Sequence, residues 1–139
     1  MCDCALRLEE FFDAGIMGAA VKLSSPNSSP WIVDGGSNVG VMKLAGDSRK
    51  RMGSVGKNIP LIGIGVAQIP GEGKNVSHLY DIEGHSHLIL AVDNQGNCPM
   101  QFENDSKKAA FGYEIEYTKF FEDSLSKVFG VPIVGVLSE

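Results

Sequence analysis

The chain has 139 residues, 43% hydrophobic and 21% charged, with a net charge of −5. That length fits one domain with one core, and the acidic balance excludes the broad basic field of a protein that reads nucleic-acid phosphates non-specifically. The most apolar segment, Ile59 to Ile69, is about half the ~20 residues a bilayer span needs and is broken by Pro60, Gly63 and Gly65.

The start, Met1-Cys2-Asp3-Cys4, lacks the basic beginning and apolar run of a secretory signal. Cys2, Cys4 and Cys98 are too few and too uneven for a disulfide framework, which predicts a reducing, cytosolic setting. No second Cys/His pair matches the spacing of Cys2-x-Cys4, so no metal site is expected there.

Residues 5–23 read as a helix with the stripe Leu8, Phe12, Ile16, Ala19 and Leu23. Ser24 to Pro30 is a breaker cluster and reads as a loop. Trp31-Ile32-Val33 reads as a short buried strand, followed by a turn from Gly35 to Gly40. A second helix is expected from about Asn38 to Met52, with Val41, Leu44, Ala45 and Met52 inward and Gly53 as its stop.

Pro60 to Val66 is apolar on both parities, as in a parallel strand buried on both faces. Gln68 to Gly84 reads as a long surface loop. His87 to Val92 is a third strand, 97–110 is irregular, and Ile115 to Phe129 is a third helix facing inward through Tyr117, Phe120, Phe121, Leu125 and Val128. Val131 to Leu137 is a fourth strand after Gly130. The order α-β-α-β-β-α-β implies an α/β fold, a Rossmann-like three-layer sandwich with a mostly parallel sheet.

Strand, glycine turn and helix follow one another in Trp31 to Val41. In open α/β sheets ligands sit at the carboxyl ends of strands, where such turns lie. Glycine lets backbone approach a ligand closely, Ser37 or Asn38 can cap the helix, and the first amides then point where the helix dipole is positive. Each such effect is worth about 0.3–1 kcal/mol, and several together can hold a phosphate. The spacing G-G-x-x-x-G is neither the dinucleotide G-x-G-x-x-G nor the P-loop, so a tight turn without a ligand stays open beside the anion site. Lys43, one turn into the helix, can assist a phosphate or simply be solvated.

Other constellations are weaker. His85 and His87 alternate on one strand face, but no carboxylate or cysteine has matching spacing, so they read as imidazoles bonded to nearby backbone. Ser37 lacks the G-x-S-x-G of a nucleophile elbow. Asp34, Glu114 and Glu116 are the acid/base candidates an enzyme would use.

At the glycine turn the chain resembles a known family. Pro30 to Lys43, then Ala45-Gly46-Asp47, is similar to the W-I-x-x-G-G-x-x-x-G-V-x-x-x-x-G-D stretch of the SLOG (LSDAT) domain in melastatin-type TRP cation channels. Ile59 to Ile64, Gly84 to Asn94, Phe111 to Ile115 and Pro132 to Glu139 resemble that family's later motifs in order, so the likeness covers residues 30 to 139. It implies a cytosolic, non-catalytic, nucleotide-derivative-sensing module of a calcium-permeable channel, with ADP-ribose or a related nucleotide as ligand. Its partners would be neighbouring channel domains or subunits, without nucleic acid and without membrane insertion of this segment.

Carried over by position, the resemblance implies that Gly35, Gly36, Ser37, Asn38 and Gly40 face the phosphates. It places Phe111 where an aromatic contacts ligand, and Thr118 where the family has an arginine, whose planar fork threonine cannot copy. The family's E-G-G-P segment would begin at Glu139, so residues 1–139 are expected to be one partial domain, truncated at both ends. Two alternatives stand beside this reading: a small SLOG-type phosphoribohydrolase-like enzyme, whose P-G-G-x-G-T motif is not in the chain, and a structural docking module with an empty turn.

Overall fold

A computed structural model describes residues 3–66, 77–91, 118–128, 130 and 134. The chain opens with a helical run in three parts: α1 (Asp3–Glu10), a π-helical stretch (Phe11–Met17) and α2 (Gly18–Leu23). In the π-helical stretch the Gly18 N–H donates to Asp13 O, five residues back rather than four. The extra residue rotates the inward face. Phe12 and Met17, five apart, are buried and Ala20 continues their line. The expected stripe is corrected accordingly: Ile16 is half-buried, but Leu8 and Ala19 are exposed and Leu23 is 74% exposed.

Strand β1 (Ile32–Asp34) begins one residue later than expected, leaving Trp31 54% exposed. Helix α3 (Gly40–Arg51) starts after an extended Val39 (φ −148°, ψ 163°). Gly53, at φ +62°, separates it from the short α4 (Gly53–Lys57). L-residues with a Cβ rarely adopt that conformation, so glycine stops α3 there. Ala45, Gly46 and Ser48 are the buried face of α3, whereas Val41 is exposed and not inward.

Among the described residues, strand β2 (Leu61–Val66) is central in a three-stranded parallel sheet of order β1-β2-β3, with β3 spanning His87–Ala91. Ile32 pairs with Leu61, and Gly63 with Leu88. Leu61 to Gly65 are all buried, in line with the apolar run on both parities.

The core lies between the helices and one sheet face. Phe12, Ala45 and Leu61 form one cluster with Ile16, Ile32 and Leu44 against it. Met17, Ala20 and Ile59 form a second, adjoined by Val21, Ile32 and Met52. Ser48 Oγ donates to Asp13 Oδ1 at 2.5 Å, and Arg51 Nη2 donates to the same oxygen at 2.9 Å, so α3 is also tied to the π-helical stretch by a polar clasp.

Residues 118–128 are helical, with Phe121 and Leu125 half-buried. Phe120, expected inward, is 72% exposed, and Val128 is exposed as well. The expected irregular stretch 97–110, residues 115–117 of the last helix and the fourth strand at 131–137 (Val134 apart) lie outside the described residues. The described part is a mixed helix and strand structure with a parallel sheet, an α/β arrangement. Among the described residues no helix is long and apolar enough to cross a membrane.

Candidate functional site

The glycine turn lies at the carboxyl end of β1 and folds back over the central strand. Its seat is made by absence of side chains. A Cβ on Gly63 of β2 would stand 2.6 Å from Gly36 Cα and 2.7 Å from Leu88 Cδ2. Gly36 itself has φ +72°, a conformation open to glycine at little cost. Two strand positions on, a Cβ at Gly65 would collide with the Tyr80 ring. Gly63 and Gly65 share one face of β2, so that face accepts the turn and the tyrosine where other strands carry branched side chains.

Beneath the turn four hydrogen bonds close a ring. The Gly36 N–H donates to Asp34 Oδ1 at 2.7 Å. The same oxygen lies 2.7 Å from His85 Nε2, and His85 Nδ1 lies 3.0 Å from Asp81 O. The Asp81 N–H returns to Gly36 O at 2.8 Å. Asp81 Oδ1 also accepts from the Gly84 N–H at 3.1 Å, and its Oδ2 sits 3.4 Å from His85 Nδ1. Room for that carboxylate comes from Gly46 and Gly84, where an added Cβ would strike Asp81 Oδ2.

His85 is enclosed and faces acceptors on both sides. Burial disfavours its charged form, but the Asp34 hydrogen bond and charge, together with Asp81, outweigh burial and raise its pKa above 6.5. Arg49 organises the neighbouring carbonyls, donating through Nε to Ile59 O at 2.9 Å and through Nη1 to Gly84 O at 3.4 Å. Tyr80 and Asp81 are therefore interior residues, which corrects the expectation that 68–84 is wholly a surface loop. His85 and His87 do not form a pair: His85 is buried ahead of β3, while His87 opens that strand exposed.

The expected ligand residues divide. Gly36 and Ser37 are buried, Gly35 is half-buried, and Asn38 and Gly40 are exposed. The Gly36 N–H is engaged by Asp34 and the Asn38 N–H by Leu79 O at 2.9 Å. The expectation that Ser37 or Asn38 caps α3 is corrected: the N-cap position falls on Val39, which makes no side-chain cap hydrogen bond. The first helical bond there runs from the Lys43 N–H to Val39 O, so the amides of Gly40, Val41 and Met42 precede it, at the positive end of the helix dipole.

Beside this helix start lies an open cavity of about 340 Å³, lined by Asn38, Lys43, Lys50, His78, Tyr80, Asp81, Ile82 and Glu83. Lys43 and Lys50 share Asp47, at 3.5 and 3.3 Å. Thr118 lies in the helical residues 118–128 and is half-buried, and Phe111, Glu114 and Glu116 lie outside the described residues. Among the described residues no group of three or more His, Cys, Asp and Glu side chains is placed to hold a metal ion.

Sequence reasoning missed the Asp34–His85–Asp81 ring and Arg49. Asp34 and His85 stand 51 positions apart, a separation no local pattern reports. No protein-family model and no curated protein matches the chain.

Proposed function

We propose that this chain is a non-catalytic nucleotide-sensing module of the SLOG type, belonging to the cytosolic region of a melastatin-type TRP channel. Its sheet would be the centre of a Rossmann-like three-layer sandwich. The anionic part of the ligand, ADP-ribose or a related nucleotide, would rest on the exposed start of α3 beside Asn38 and Gly40, with Lys43 and Lys50 on the wall of the adjoining cavity.

The observation that carries this reading is the start of a 12-residue helix, with an apolar N-cap, Val39, following the carboxyl end of a parallel strand. Backbone amides and the helix dipole act together on an anion at such a start, and an open, polar cavity of about 340 Å³ adjoins it. The order of family-like motifs across residues 30 to 139 supports the family assignment. The inward commitment of Asp34 and His85 supports binding over acid–base chemistry, because neither ring nitrogen of His85 is offered to the cavity.

Thermal denaturation of the 139-residue chain with ADP-ribose tests the proposal. At 100 times its dissociation constant the ligand adds about 2.7 kcal/mol of stability. Asn38→Asp serves as the comparison, because an acid at a helix start favours the fold while repelling an anion. The variant is expected to fold and to lose most of the shift. A folded wild type that ADP-ribose, ADP and inorganic phosphate all leave unshifted would contradict the proposal.

A further inference from the structure

We propose that His85 is a proton-controlled latch on the glycine turn, holding Gly36 in place through Asp34 when protonated and releasing it when neutral. This goes beyond the nucleotide reading and stands without any ligand.

The ring of hydrogen bonds fixes the protonation chemistry. Asp34 Oδ1 already accepts the Gly36 N–H, so it meets Nε2 as an acceptor. Asp81 O is a carbonyl and can only accept, so it meets Nδ1 as an acceptor too. A neutral imidazole has one N–H to give, whereas an imidazolium has two. Both contacts are therefore satisfied only by the charged ring.

Loss of one proton breaks one side of the ring and sets a lone pair against an acceptor, either Asp34 Oδ1 or Asp81 O, the latter still accepting the His85 backbone N–H at 3.1 Å. Either break reaches the glycine turn, since Asp34 holds the Gly36 N–H and the Asp81 N–H holds Gly36 O. Among the described residues, the charged groups that face His85 are Asp34 from the end of β1 and Asp81 from the segment before β3. From α3, Arg49 donates to the carbonyls of Ile59, Gly84 and Lys57, and from β3 the exposed His87 accompanies Ser86. Titration of His85 therefore sets the charge balance of an enclosed cluster.

The direction follows from the same contacts. Falling pH charges the ring and tightens the turn; rising pH neutralises it and loosens the turn. The structure thus makes the order of the α3 approach depend on protons, and any anion seated there would be proton-linked.

Nuclear magnetic resonance of the ligand-free 139-residue chain reads this directly. The His85 ring resonances give its titration, and hydrogen exchange of the Gly36 amide, corrected for the intrinsic pH dependence of exchange, gives the state of the latch. His85 is expected to titrate above 6.5, and Gly36 protection to fall at least tenfold over the same interval. Asn at position 34 keeps an acceptor but removes the charge, so Asp34→Asn is expected to bring both transitions to lower pH together. A His85 midpoint at or below its ordinary value, or Gly36 protection that stays level through the titration, would overturn the latch.

Discussion

A single proton at His85 carries a stability statement as well as a conformational one. Its folded pKa is raised above 6.5 against burial, by Asp34 and Asp81. A raised pKa means that the stability contribution is fully present below the unfolded value. It is lost as pH rises through the folded value. Urea denaturation across that window is therefore expected to show falling stability with rising pH, and a smaller slope in Asp34→Asn. Ser37 gives a second test at this scale. Its hydroxyl is buried without a hydrogen-bond partner among the described residues, so Ser37→Ala is expected to be neutral or mildly stabilising. A helix-capping serine would instead cost about 0.5–2 kcal/mol on the same change. Gly63 gives a third: the Cβ of Gly63→Ala would meet Gly36 backbone at 2.6 Å, and overpacking of that kind costs about 1–3 kcal/mol. None of these environments was legible locally. Asp34 closes β1 and His85 lies ahead of β3; their meeting depends on how β1 and the 80–86 segment dock.

Among the elements, the first helix separates what periodicity can and cannot say. Its length and amphipathic character were legible from Phe12 and Ile16. The inward face beyond them was not, because a repeat of 3.6 residues places Ala19 and Leu23 inside, whereas the π-helical stretch places Met17 and Ala20 there. Truncation distinguishes the two arrangements in denaturant melts. Met17→Ala is expected to cost about 2–5 kcal/mol as a buried methionine. Leu23→Ala, on a side chain 74% exposed, should stay within about 0.5 kcal/mol. The Asp13 clasp to Ser48 and Arg51 reinforces this register from outside the core. It was illegible because Asp13 faces α3 across 35 residues of sequence. Strand β2, by contrast, was readable, since apolar residues on both parities admit little but a strand buried on both faces.

For the whole molecule, parallel pairing followed from helices alternating with apolar strands, and the described strands agree with an α/β class, while their order was not legible in the sequence. The candidate site was half legible. Strand, glycine turn and helix announced where a ligand could sit, but glycines gave no sign of which amides would be left free. Asp34 and Leu79 engage those of Gly36 and Asn38, so the amides proposed for an anion lie further along the chain, in the first turn of α3. The measurement that bears most directly on a nucleotide site there is a resonance titration with ADP-ribose that follows individual backbone amides. The amides of Gly40, Val41 and Met42 are expected to shift furthest and to saturate together. Saturable binding that leaves those three amides unmoved, or no binding by a folded chain, would contradict the assignment.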